Sequence, residues 1–199
     1  AILISYPMAL VISKLKHRDL WILLVILPTW INLLLKAYAF IGLLSHDGLV
    51  NDLFQFFGIP AQHMLFTDAS FILVAAYIQI PFMILPIYNS LTDISDSYIR
   101  ASRDLGATKW QTLTKVIIPM TMPGIKSGIQ IVFIPSLSLF MLSRLIGGNK
   151  VITLGTAVEE HFLTTMNWGM GSTIGVVLII SMVIVMLLTN TKRKRRRTS

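Results

Sequence analysis

No cysteine occurs in the chain, which removes a disulfide framework, a thiolate metal site and a cysteine nucleophile together. Charge is scarce too: Asp, Glu, Lys and Arg make up 13% of the 199 residues, against 54% hydrophobic residues and a mean hydropathy of +0.73. A water-soluble enzyme domain is excluded by that balance, because the apolar stretches take up well over half the length and leave no room for an aqueous core. Acids are the scarcest charged class, nine against seventeen basic residues, and no apolar stretch contains one away from its ends. The formal charge of +8 and pI near 10.0 would suit nucleic acid in a soluble chain; in this one the question is where the basic residues sit along the membrane normal. No methionine opens the chain, and Ala1 already lies in an apolar run, so the sequence is expected to begin partway through a longer protein, with no targeting peptide to interpret.

What is present is a set of five apolar runs, at 1 to 13, 20 to 44, 68 to 91, 117 to 142 and 169 to 190, each a candidate membrane span. The first would cover only about 20 Å as a helix, against a hydrocarbon core of about 30 Å. Thirteen of the seventeen basic residues fall on one side of the resulting path: Lys14, Lys16, Arg18, Arg100, Arg103, Lys109, Lys115 and the six from Lys192 to Arg197. The opposite loops, 45 to 67 and 143 to 168, hold only Arg144 and Lys150, with Asp47, Asp52, Glu159 and Glu160 among them and Asp68 at the rim. By the positive-inside rule the first side is cytoplasmic. The expected organisation is a membrane domain over 1–191 and a basic tail over 192–199, the tail reading first as an anchor for anionic headgroups and second as a docking strip. In the outer loop, Val50, Leu53, Phe54 and Phe57 recur at helical spacing with Asn51, Asp52 and Gln55 elsewhere on the wheel, and Gly58-Ile59-Pro60 ends the run. A short interfacial helix is expected there.

The cytoplasmic loop 92 to 118 is polar yet patterned. Ile94, Tyr98, Ala101 and Leu105 share one helical face, Asp96 can cap the start, and Gly106 suits the left-handed residue that ends a helix. Thr108 and Gln111 fit a capping box that opens a second short helix with Trp110 and Leu113 turned inward, and Pro119 marks entry to the next membrane helix. Two short helices meeting at a glycine make a compact cytoplasmic knob.

That loop resembles the EAA signature of bacterial ABC importer permeases: Glu-Ala-Ala, three residues, Gly, nine residues, then Ile-x-Leu-Pro. Here Arg100-Ala101-Ser102, Gly106 and Val116-Ile117-Ile118-Pro119 keep both spacings, with Arg100 in place of the Glu and Ser102 in place of the second Ala. SRDLGAT at 102–108, PMTMPGI at 119–125, a P-x-W-x-N stretch at 28–32 followed by Lys36 and Tyr38, PFMILPIYNSL at 81–91, LIGG at 145–148 and NWGMG at 167–171 extend the resemblance over nearly the whole chain, toward permeases of spermidine/putrescine importers. Asn167 stands where that family often has Asp. The resemblance implies an all-α polytopic bundle of the type I ABC importer permease kind, about five spanning helices here and six in the full protein, in a bacterial inner membrane. It implies a non-enzymatic transport subunit, with ATP and Mg bound by a dimer of partner ATPases, a second homologous permease and an extracytoplasmic substrate-binding protein as further partners, and surrounding lipid. The loop contacting the ATPase would use Tyr98, Arg100, Ala101, Ser102, Leu105, Gly106 and Pro119. Another small solute is the alternative cargo, and a non-ATP-coupled channel or scaffold the alternative class.

Other chemistry is thin. The four histidines are scattered, Glu159-Glu160-His161 points in several directions, and Gly147-Gly148 lacks the Lys-Ser/Thr of a phosphate loop, so neither a metal nor ATP nor nucleic acid is expected on this chain. A polycation needs carboxylates and aromatic faces. Trp30, Asn32, Tyr38, Tyr77 and Gln79 are the candidate pathway residues, while Asp47, Asp52, Asp68, Glu159 and Glu160 form a candidate outer acidic surface. Lys126 is placed to snorkel to the cytoplasmic interface; Lys36 can snorkel outward, pair with a partner's carboxylate or hold backbone carbonyls.

Overall fold

The computed structural model describes residues 1–189; the tail, with its six cations, lies outside the described residues. All regular structure among them is helical: α1 (Ile2–Lys14), α2 (Arg18–Ile26), a 3-10 turn (Leu27–Trp30), α3 (Leu33–Leu44), α4 (Leu49–Phe56), α5 (Asp68–Thr92), α6 (Asp96–Asp104), α7 (Lys109–Thr112), a π turn (Leu113–Ile117), α8 (Ile118–Ser136), α9 (Phe140–Leu145), α10 (Leu154–Glu159), a second π turn (Glu160–Thr164) and α11 (Trp168–Thr189). Four stretches have the length and apolarity to cross a membrane, Leu33–Phe56, Asp68–Thr92, Lys109–Ser136 and Trp168–Thr189, with the shorter apolar Ile2–Lys14 beside them. The first stretch is interrupted, because Ser45 and Gly48 are extended between α3 and α4, so α4 is a separate amphipathic helix as the spacing of Val50 and Phe54 predicts.

Two spans differ from the sequence reading. The run 20–44 is broken rather than continuous: Pro28 lacks the N–H an α-helix needs, the chain tightens into the 3-10 turn, and Asn32 restarts the helix by accepting from the Leu34 N–H at 2.8 Å. The run 117–142 ends at Ser136, after Pro135, and resumes as the short α9.

In lipid, apolar burial gives helices little reason to associate, so close packing and cross-helix hydrogen bonds carry the fold. α5 lies against both α1 and α8. Ala9, Ile12, Met83, Ile84, Ile87, Tyr88, Leu91 and Ile117 form their shared core, which places Tyr88 inside the bundle rather than in an interfacial aromatic belt. Gly124 and Gly128 turn a small-residue face of α8 to α5: a Cβ on Gly124 would run into the Pro86 carbonyl oxygen and the Ser90 hydroxyl, and one on Gly128 would lie 2.7 Å from the Met83 sulfur. Polar pairs tie the same helices, Tyr6 to Thr121 at 3.1 Å between hydroxyls and the Ser136 hydroxyl donating to Gln79 Oε1 at 2.8 Å.

A second core, Ala37, Leu44, Val74, Ala75, Leu142 and Ile146, joins α3, α5 and α9 at the other end. Asn51 is fully buried, not on the solvated side of α4. Its Nδ2 donates to the carbonyls of Ser45 and Gln62, each at 3.0 Å, and its Oδ1 accepts from the Gln62 N–H at 2.8 Å, closing the outer loop on itself. The LIGG stretch has a like reason: Ile146 accepts from the Phe66 N–H at 3.0 Å, and Gly148 is covered by the Phe66 side chain, where a Cβ would come within 2.8 Å of the Phe66 Cβ and 2.9 Å of its ring.

Candidate coupling site and transport path

The knob is built by three local devices. Ser95, not Asp96, is the N-cap of α6, accepting from the Ser97 N–H, because its extended backbone carries the hydroxyl to the open end of the helix while Asp96 already sits in the first turn. The helix ends as predicted on Gly106 at φ +80°, with the Gly106 N–H donating to Arg103 and the Ala107 N–H to Ser102, the paired bonds of a Schellman motif. Thr108 and Gln111 close the predicted capping box in both directions, at 3.2 and 2.9 Å.

Three of the four residues expected to share a face of the first short helix point outward, and Trp110, expected to turn inward, is exposed beside them. Tyr98, Ala101 and Leu105 are exposed, Leu105 to 89%, and Trp110 is 71% exposed; Ile94, Ile99 and Leu113 pack beneath against the bundle. Leu113 turns inward as expected and Ile94 leaves the stripe to pack on the bundle, while Trp110 is left outside because the small polar Ser102 and Thr112 take the inner positions between the two short helices. Arg100 is exposed beside the stripe. Pro119 stands at the second position of α8, directly after the π turn that joins it to α7. Lys14, Arg18, Asp96 and Ile99 line one cavity of about 240 Å³, so the two basic loops assigned to the same side of the membrane meet at the same end of the bundle.

The five candidate pathway residues are not brought together. Trp30, on the 3-10 turn, is 78% exposed, and Tyr38 is exposed on α3, on the opposite side from Lys36, since two helical residues span about 200°. Asn32 is occupied as a helix cap. Tyr77 lines a nearly apolar cavity of about 240 Å³ with Lys36, Pro28, Thr29 and Pro81, opened where α2 gives way to the turn, and its ring meets Phe40 edge-on at 5.0 Å. Gln79 is buried and bonded to Ser136.

At the outer end Asp47, Asp52, Asp68 and Glu160 are exposed. Glu159 stands apart, its side chain 17% exposed with Oε1 3.3 Å from the Arg144 guanidinium, so it clamps α10 to α9. Trp168 packs edge-on against Phe162 at 5.7 Å. The devices missed from sequence alone, the Asn51 latch, the Arg144–Glu159 clamp and the Ser102–Thr112 contact, all join residues whose partners depend on how the chain returns; their only local signal is a polar residue inside an otherwise apolar or amphipathic helix.

Comparison with known proteins places these features in context. A family model described as "binding-protein-dependent transport system inner membrane component" matches residues 1–198. The chain is 36% identical over 188 residues to the spermidine/putrescine transport system permease protein PotB of Haemophilus influenzae, covering 92% of this chain and 66% of that protein. It is 36% identical over 185 residues to PotB of Escherichia coli, covering 91% and 67%, and 31% identical over 161 residues to the inner membrane ABC transporter permease protein YdcU of the same organism, covering 73% and 51%. The chain thus spans about two thirds of the length of the PotB proteins it matches. Among solved structures, a bacterial ABC transporter involved in import of the acidic polysaccharide alginate shares the fold, with a TM-score of 0.77 at 19% identity over 98% of this chain and 72% of that one.

Proposed function

Since the chain belongs to the binding-protein-dependent transport system inner membrane components, multi-pass proteins of the bacterial inner membrane, we propose that it is the permease subunit of an ATP-driven importer of polyamines such as spermidine and putrescine. The single observation that carries the coupling half of this reading is the knob: a capped, glycine-terminated pair of helices presenting Tyr98, Ala101, Leu105 and Trp110 to the outside while resting on the core of α1, α5 and α8. An exposed apolar stripe at the end of a membrane bundle suits a partner's groove. In this reading a dimer of ATPases, which bind ATP and Mg, closes and pushes on the stripe; α5 and α8 tilt, and the path between this subunit and a second permease opens alternately to either side. An extracytoplasmic binding protein delivers the cargo.

The polyamine half rests on the PotB relatives and on chemistry. Trp30 and Tyr38 offer exposed aromatic faces to ammonium groups, and Asp47, Asp52, Asp68 and Glu160 give the outer face a cation-attracting field. Lys36 would repel a polycation, and it points into the apolar cavity beside Tyr77, on the side of α3 away from Tyr38.

The test is ATP-dependent uptake of labelled spermidine and putrescine by the full-length protein assembled with its partners in proteoliposomes. Gly106 separates strain from contact, because its φ of +80° penalises any side chain while a Cβ would meet nothing within 4 Å. Gly106→Ala imposes only the left-handed cost, about 1–2 kcal/mol. Gly106→Trp adds bulk where the ATPase docks and should abolish substrate-stimulated hydrolysis with membrane insertion intact. Equal activity in the two variants would remove the docking surface from this position.

A further inference from the structure

Resting on the coupling role just proposed, we infer that the Ser102 and Thr112 hydroxyls form a positioning joint that makes the knob one rigid body with α8. The two oxygens lie 2.7 Å apart, and both residues are buried, at 9% and 3% exposure. Ser102 holds the knob twice, since its carbonyl accepts the Ala107 N–H that shapes the turn while its side chain reaches across to α7.

The connectivity gives the contact its leverage. From Lys109 to Ser136 the backbone is continuously helical, through α7, the π turn and α8, so α7 is the near end of a membrane-crossing rod. α6 is not part of that rod. It is attached to it by the four residues Leu105 to Thr108 and by its packing on α7 and the π turn, and among the described residues the Ser102–Thr112 pair is the side-chain hydrogen bond between the two short helices. A force on Tyr98 and Ala101 of α6, and on Leu105 at its end, therefore reaches α8 through this joint. Removing one hydroxyl leaves the other buried without its partner, which favours opening the joint over closing it. The family pattern places alanine at the position of Ser102, and alanine cannot make this bond.

The experiment uses the assembled full-length transporter and reads uptake per ATP hydrolysed, a ratio that a fall in expression or assembly does not move. Ser102→Ala should lower that ratio about 5-fold or more, the conformational bias that one orphaned buried hydroxyl supplies. Ser102→Thr, which keeps the hydroxyl, should restore most of it. The absence of cysteine in these 199 residues gives a second arm independent of that variant: Ser102→Cys with Thr112→Cys should crosslink on mild oxidation and, once crosslinked, transport with the wild-type ratio. A crosslinked transporter that hydrolyses ATP without uptake and recovers on reduction would show that the joint must open, and would overturn the inference. So would a wild-type ratio in Ser102→Ala, or a failure of the two thiols to crosslink. If the wild-type assembly itself shows no ATP-driven uptake, the coupling role falls with it; flat variants in an active assembly remove the joint alone.

Discussion

Gly124→Ala isolates one close approach on which the membrane bundle depends. Gly124 lies inside α8, and the added methyl would enter the space of the Pro86 carbonyl oxygen and the Ser90 hydroxyl, with Ser90 Cβ at 2.7 Å. Two effects compete. Alanine is the better helix former by about 0.8–1 kcal/mol, whereas overpacking a close contact costs about 1–3 kcal/mol. The Pro86 oxygen belongs to the backbone of α5 and cannot rotate aside, so the cost falls at the upper end and the net destabilisation is about 1–2 kcal/mol. Gly42→Ala is the internal control, because Gly42 also lies in a helix, α3, and its Cβ would meet nothing within 4 Å; it should stabilise by about 0.5–1 kcal/mol. Gly128→Ala should fall between them, since its neighbour is the flexible end of Met83. Thermal unfolding midpoints of the purified subunit in detergent should rank Gly42→Ala above wild type, then Gly128→Ala, then Gly124→Ala. Ser90→Ala added to Gly124→Ala should recover only the part due to the hydroxyl, the contacts with the Pro86 oxygen and with Cβ of residue 90 remaining. A Gly124→Ala midpoint at or above wild type would refute the close approach of α5 and α8.

Further expectations follow from the loops. Asn51→Asp should open the outer loop, because the carboxylate faces the Ser45 and Gln62 carbonyls to which Nδ2 now donates; about 2–3 kcal/mol of local stability is at stake, read as faster proteolysis between residues 57 and 66, and unchanged proteolysis would discount the latch. Single cysteines report the orientation: His63→Cys should react with an impermeant thiol reagent on intact cells and Lys109→Cys only after permeabilisation, the reverse result inverting the topology. Neutralising Asp47, Asp52, Asp68 and Glu160 together should slow uptake at low substrate and low salt by up to about 10-fold and flatten its salt dependence, while ATP hydrolysis persists. Unaltered uptake would leave these four as ordinary surface charge.

Local rules were sufficient wherever a residue's partner lies within a few positions of it. The apolar runs mark the long helices because a membrane-crossing backbone must satisfy its own hydrogen bonds, and α5 runs from Asp68 to Thr92 against an apolar run of 68 to 91. Gly106, the Thr108–Gln111 box and the amphipathic α4 were legible for the same reason: turn and cap chemistry closes within one helical turn. Tertiary structure decided what composition leaves degenerate. Which side of α6 faces the bundle, whether Asn51 points to water or to two carbonyls, whether Glu159 is free or clamped by Arg144, and whether Asn32 lies within a helix or starts one all depend on segments that return from elsewhere or on a break imposed by Pro28. In a chain that is apolar on nearly every face, hydrophobic pattern cannot choose the packed side of a helix. That choice falls to small residues such as Gly124 and to polar pairs such as Ser102–Thr112 and Gln79–Ser136, whose contacts exist only once the helices are assembled.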